Sequence, residues 1–160
     1  MGAMVSRGFN VALAVLRIAA GLSLLLSGLH KLTWFTHPEA LEQIFTGWSQ
    51  HPANGFVAWY LAVVTPHFSG LARLVVMGEL GLGALLIAGF LTPLASLLAF
   101  LMVLSFQLGS GEIFSLKYLT GEASLVYLLV FPVLMAGRAG TVLGVDGALS
   151  GIRSGSRPAG

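Results

Sequence analysis

Hydrophobic positions in this chain come in long unbroken runs rather than in the short alternations of a soluble fold. The first run is Phe9 to Leu29, and His30, Lys31 and Trp34 follow it as polar and aromatic anchors. The pattern predicts spans at about 9–30, 70–91, 93–109 and 119–137, each near the ~20 apolar residues that cross a bilayer. Thr92-Pro93 makes a very short turn between the second and third. Pro132 falls inside the fourth and should kink it or free a backbone carbonyl. The first run is too long for a signal-peptide core and lacks a small-residue cleavage site, so it reads as a retained span.

The loop between the first two spans has its own pattern. Leu41, Ile44, Phe45 and Trp48 repeat at helical spacing, with Glu39, Glu42, Gln43 and Thr46 on the opposite face. This predicts an amphipathic helix lying at the membrane interface or over the mouth of the bundle. Thr36 and Glu39 have capping-box spacing, and Pro38 suits a first turn. The stretch FVAWYLAVV is too short to cross as a helix, so it is expected to be re-entrant or packed on the bundle.

The expected fold is therefore all-α: an integral-membrane, antiparallel four-helix transmembrane bundle, with an amphipathic interfacial helix in the first external loop. Residues 1–149 form one domain and 150–160, rich in Gly, Ser and Pro, a disordered tail. Composition agrees: 56% of residues are hydrophobic and 9% charged, against roughly 25% charged in soluble domains. Arg7, Arg138, Arg153 and Arg157 fall on one side and Lys31 and Lys117 on the other. The positive-inside rule then places both termini in the cytoplasm of a multi-pass protein of the cell membrane. No basic cluster suggests nucleic acid. The absence of cysteine excludes disulfides, thiolate metal sites and redox thiols.

Two charges interrupt the spans. Arg17 lies in the first and Glu79 in the second, and a charge at mid-membrane costs at least ~2.5–3.5 kcal/mol unless it finds a partner. Arg17, Gly21, Leu24, Gly28 and Lys31 share one helical stripe that should face the interior. Counting ~1.5 Å per residue from the span ends brings Arg17 and Glu79 to similar depth, where they can meet. That pair is either a structural clasp or a functional site for a quinone headgroup or protons. Near the outer face His30, Lys31, Arg73, Gln107 and Glu122 make a second polar layer, with Arg73 and Glu122 as its charge pair. The alternative is ordinary interfacial anchoring. His30, His37, His51 and His67 have no metal-ligand spacing.

The segments LRIAAGLSLLLSGLHKL, GELGLGALLIAGFLTP and GRAGTVLGVDGAL, in that order, resemble the DoxX/DoxD superfamily of small four-span membrane proteins over residues 12–149. ANGFVAWYLAVVTPHFSGLARL resembles the DoxD branch, the thiosulfate:quinone oxidoreductase subunit. Arg17, Gly28, Lys31, Glu79, Gly137, Arg138 and Asp146 carry the match. The resemblance implies a quinone-linked membrane subunit that works with a partner redox subunit, in a bilayer and with a homo-oligomer open. Arg17 and Glu79 would then act on the quinone and its protons, with Trp34 beside the cofactor. His30, Lys31, Arg73 and Glu122 would bind an anionic donor such as thiosulfate. The alternatives are a non-catalytic scaffold for redox or stress-response proteins and a small-solute transporter. The latter would show inverted-repeat symmetry, which is not apparent.

Overall fold

A computed structural model describes residues 2–115, 118 and 124–149. The element order is α1 (Gly2–His30), a 3-10 turn (Leu32–Phe35), α2 (Glu39–Gln50), α3 (Gly55–Val64), α4 (Phe68–Ala88), α5 (Thr92–Ser110) and α6 (Ser124–Ala136). Among the described residues three helical segments are long and apolar enough to cross a membrane: Gly8–His30, Gly55–Ala88 and Thr92–Ser110. Leu125–Ala136 is a shorter apolar helix, and the residues before it that complete the expected fourth span lie outside the described set. Pro132 lies within α6.

The outward surface of these helices is apolar. Phe9, Val15, Leu26, Leu74, Leu101 and Val126 are all exposed. Hydrocarbon surface on this scale suits lipid as solvent, where the helix satisfies its own backbone groups.

The packing of α1 on α4 sets the geometry of everything else. A Cβ on Gly21 would stand 2.8 Å from the Gly83 carbonyl oxygen, and one on Gly83 would stand 2.8 Å from that of Gly21. The two backbones touch because neither residue has a side chain. Gly28 meets Leu80 and Glu79 in the same way. These contacts run in opposite sequence directions, so the helices are antiparallel. They also bring Arg17 level with Gly89, at the turn between α4 and α5. Hence α1 continues past that turn, where Leu13 packs at Gly137. Its other end stops near the middle of α4. Beyond it the bundle is built from α4, α5 and the loop helices.

Two apolar clusters result. One holds Leu24, Leu82, Leu86, Ala99 and Phe131. The other holds Trp34, Leu41, Phe45, Leu61 and Val76. Glu79 lies on α4 between its contributions to the two.

The loop follows its sequence pattern. Leu41 and Phe45 of α2 are buried against α4. The stretch FVAWYLAVV is helical and packs on the bundle as α3. Asn54 caps it, accepting from the Val57 N–H at 3.0 Å. The expected capping box is corrected. The N-cap of α2 is Pro38 and makes no side-chain cap bond. Thr36 ends the preceding 3-10 turn, and its hydroxyl donates to its own turn's Thr33 carbonyl.

Candidate functional site

Arg17 and Glu79 are not partners. Arg17 is fully buried, yet its guanidinium finds backbone carbonyls instead of a carboxylate. Nη1 donates to Ala139 at 2.8 Å and Val142 at 3.2 Å, and Nη2 to Leu143 at 3.0 Å. All three belong to the segment that follows α6. Gly89 and Gly144 wall the guanidinium so closely that a Cβ on either would overlap it. The expected meeting fails for a physical reason. Depth counted from the ends of apolar runs ignores the register set by the touching glycines. That register puts Glu79 about ten residues from the Arg17 level, or ~15 Å.

Asp146 completes this clasp. Its Oδ1 accepts from Leu91 N at 2.8 Å and its Oδ2 from Thr92 N at 3.0 Å. The carboxylate caps the start of α5, where unpaired N–H groups and the helix dipole favour a negative charge. Its own N–H returns to the Gly89 carbonyl at 2.9 Å. Leu91, Arg138 and Leu143 adopt left-handed backbone here, at φ 48°, 46° and 50°. Non-glycine residues hold that conformation only when the surroundings over-determine it. Arg17 and Asp146 thus tie the segment after α6 to α1 and the α4–α5 turn, and Arg17 Nε is buried without a hydrogen-bond partner.

Glu79 pairs with Lys31. Lys31 Nζ stands 2.5 Å from Glu79 Oε1. Ser27 bridges them, accepting from Lys31 at 2.9 Å and donating to Glu79 Oε1 at 3.0 Å. Lys31 Nζ also lies 5.5 Å from the Trp34 ring centroid and 5.8 Å from that of Phe106, within cation–π range. Glu79 is 6% exposed, whereas the Lys31 side chain keeps 26% exposure. Glu79 Oε2 is buried without a hydrogen-bond partner. A lone buried carboxylate oxygen is costly.

Lys31 and Glu79 line a cleft of about 180 Å³ with Met102, Val103, Phe106 and Gln107 of α5. The Tyr118 hydroxyl donates to Gln107 Oε1. Burial raises the Tyr118 phenol above its ordinary pKa, which keeps it a donor. On the other side Tyr127 of α6 hydrogen-bonds Ser23 and lies within electrostatic reach of Glu79.

The expected donor-binding ring is not assembled as anticipated. Lys31 turns inward to Glu79. His30 is exposed, and its Nδ1 lies 2.9 Å from the Leu26 carbonyl of its own helix. Arg73 is exposed, and its side chain makes no hydrogen bond or ion pair among the described residues. Glu122, its expected partner, lies outside the described residues, as does Lys117. Trp34 is buried at 9% exposure in the second apolar cluster, its ring 5.5 Å from Lys31 Nζ. Ser27, Met102, Phe106, Tyr118 and Asp146 were not anticipated as site residues. Ser27 carries the clearest signal, since it stands one helical turn before Lys31. Among the described residues no group of His, Asp and Glu could hold a metal ion.

A family model described as DoxX matches residues 12–110. This stretch holds Arg17, Lys31, Glu79 and the α5 wall of the cleft. No curated protein and no solved structure matches the chain.

Proposed function

We propose, for a chain that belongs to the DoxX family and is a multi-pass membrane protein, that the Lys31–Glu79 cleft takes the headgroup of a quinone. The chain would be the four-span membrane subunit of a quinone-linked oxidoreductase. The observation that carries this reading is the unpartnered, buried Glu79 Oε2 on a carboxylate that lines, with the Lys31 cation, a largely apolar cleft holding Phe106. Such a cleft matches a flat lipophilic ring with two polar oxygens. The apolar walls are Met102, Val103 and Phe106. Lys31 Nζ is a donor for a carbonyl oxygen, and Glu79 Oε2 is an acceptor for a hydroxyl.

A bound quinone would supply two-electron, two-proton redox chemistry. The chain's own residues would hold the ring and manage protons. Ser27 fixes Glu79 Oε1 on Lys31, leaving Oε2 as the proton-exchanging atom. Arg17, occupied by three carbonyls, is left to the fold.

The electron donor, thiosulfate or a related reduced sulfur compound in the DoxD-like reading, would be oxidised on a partner subunit. The exposed position of Arg73 favours that division, because an exposed cation attracts a small anion only weakly. Purified membranes containing the chain and its partner subunits should reduce quinone when the donor is added, and Glu79→Gln should abolish most of that turnover. A membrane scaffold without chemistry predicts no donor-dependent reduction in the wild type.

A further inference from the structure

We propose that the Lys31–Glu79 pair communicates with water on one side of the membrane only, the side that carries α2 and α3. Protons and polar reactants would enter and leave the cleft there, and the opposite side is closed.

The two routes from Glu79 differ in length and in content. Towards the α4–α5 turn, Glu79 is separated from Gly89 by ten residues of α4, about 15 Å of helix. Leu24, Leu82, Leu86, Ala99 and Phe131 are buried along that length, beside an apolar cleft of about 100 Å³ lined by Ser96, Phe100, Phe131 and Pro132. The Gly21–Gly83 backbone contact leaves no gap between α1 and α4. The buried hydroxyl of Thr92 lies at the start of α5, and that of Ser96 one turn further in, between Ala95 and Ala99 of the layer. Below them the Arg17–Asp146 clasp ties the closing segment to the helix ends. A fixed guanidinium there also repels an incoming proton.

Towards α2 and α3 the distances are short. Lys31 immediately follows the last residue of α1 and is partly exposed. Gln107 is three residues from the end of α5, about 5 Å. Beyond it the wall is aromatic: Trp48 stacks edge-on against Phe106 at 6.1 Å. The titratable groups facing Glu79 are Lys31 and Tyr127, and neither opens a path through the apolar layer.

The inference concerns the cleft proposed for the quinone but rests on packing, so it can be tested without turnover. The cysteine-free chain allows single thiols to be read cleanly. Gln50→Cys and Ser6→Cys identify the two membrane sides. Val103→Cys reports the cleft and Ala99→Cys the apolar layer. A charged, membrane-impermeant thiol reagent is added to right-side-out and inside-out vesicles. Val103→Cys should react from the Gln50 side about tenfold faster, or more, than from the other, given the cost of carrying a charge through apolar packing. Ala99→Cys should stay unlabelled from both. If Val103→Cys fails to fold, Met102→Cys reports the same cleft. Equal labelling from both sides, faster labelling from the Ser6 side, or labelling from neither side while detergent exposes the thiol would each overturn the inference. One-sided labelling in a protein that binds no quinone would sink the functional reading alone.

Discussion

Lys31 and Glu79 form a 2.5 Å ion pair between two apolar clusters, with Ser27 bridging both side chains. Removing Lys31 leaves Glu79 buried and unpaired, at a cost of about 3–5 kcal/mol, much of which a double replacement should recover, whereas removing Glu79 leaves a partly exposed Lys31 and should cost less. Lys31→Met and Glu79→Gln should each lower the thermal stability of the detergent-solubilised protein, and the double variant should regain a large part. Arg17→Gln with Glu79→Gln should instead be additive. Additive losses for Lys31 and Glu79 would show that the pair does not exist.

The Arg17 clasp depends on a forked donor. A lysine ammonium also has three N–H donors, but it offers them from one nitrogen on a shorter side chain, whereas the three carbonyls are met from two points of the fork. Arg17→Lys should therefore lose most of the stability that Arg17→Gln loses. Asp146→Ala removes the cap of α5 and should cost about 1–2 kcal/mol. Both are read as shifts in thermal unfolding. A fully stable Arg17→Lys protein would mean that positive charge alone, and not the fork, closes the fold.

Close helix contact predicts a position-specific response to one added methyl group. Gly21→Ala and Gly83→Ala push backbone against backbone and should destabilise by about 1–3 kcal/mol. Gly81 has open space around its Cβ position, so Gly81→Ala should be close to neutral. Equal effects at all three would place the α1–α4 contact elsewhere.

The α1 stripe and the loop helix were legible because periodicity is a local property. Gly21, Leu24 and Gly28 are buried along one face, and Leu41 and Phe45 of α2 are buried as their spacing requires. Pairing was not legible. Arg17 and Lys31 share a stripe, so either could meet Glu79, and the choice depends on how far α1 slides along α4. The Gly21–Gly83 contact sets that slide, and neither glycine announces its partner. Asp146 was carried only by family resemblance, because its role depends on a turn 55 residues away.

Orientation follows from the distribution of arginine and remains a prediction. Gln50→Cys should be labelled by an impermeant reagent in intact cells, and Ser6→Cys should not. The reverse result would invert the topology and, with it, the side to which the cleft opens.

The central claim is that a quinone headgroup occupies the cleft beside Glu79, and photolabelling tests it most directly. A photoreactive quinone analogue, irradiated with the purified protein in lipid nanodiscs, should attach to the Met102–Phe106 stretch of α5. Native quinone should compete the adduct away, and Glu79→Gln should weaken it. Adducts spread over the lipid-facing residues, or adducts on α5 that excess quinone leaves unchanged, would contradict the account.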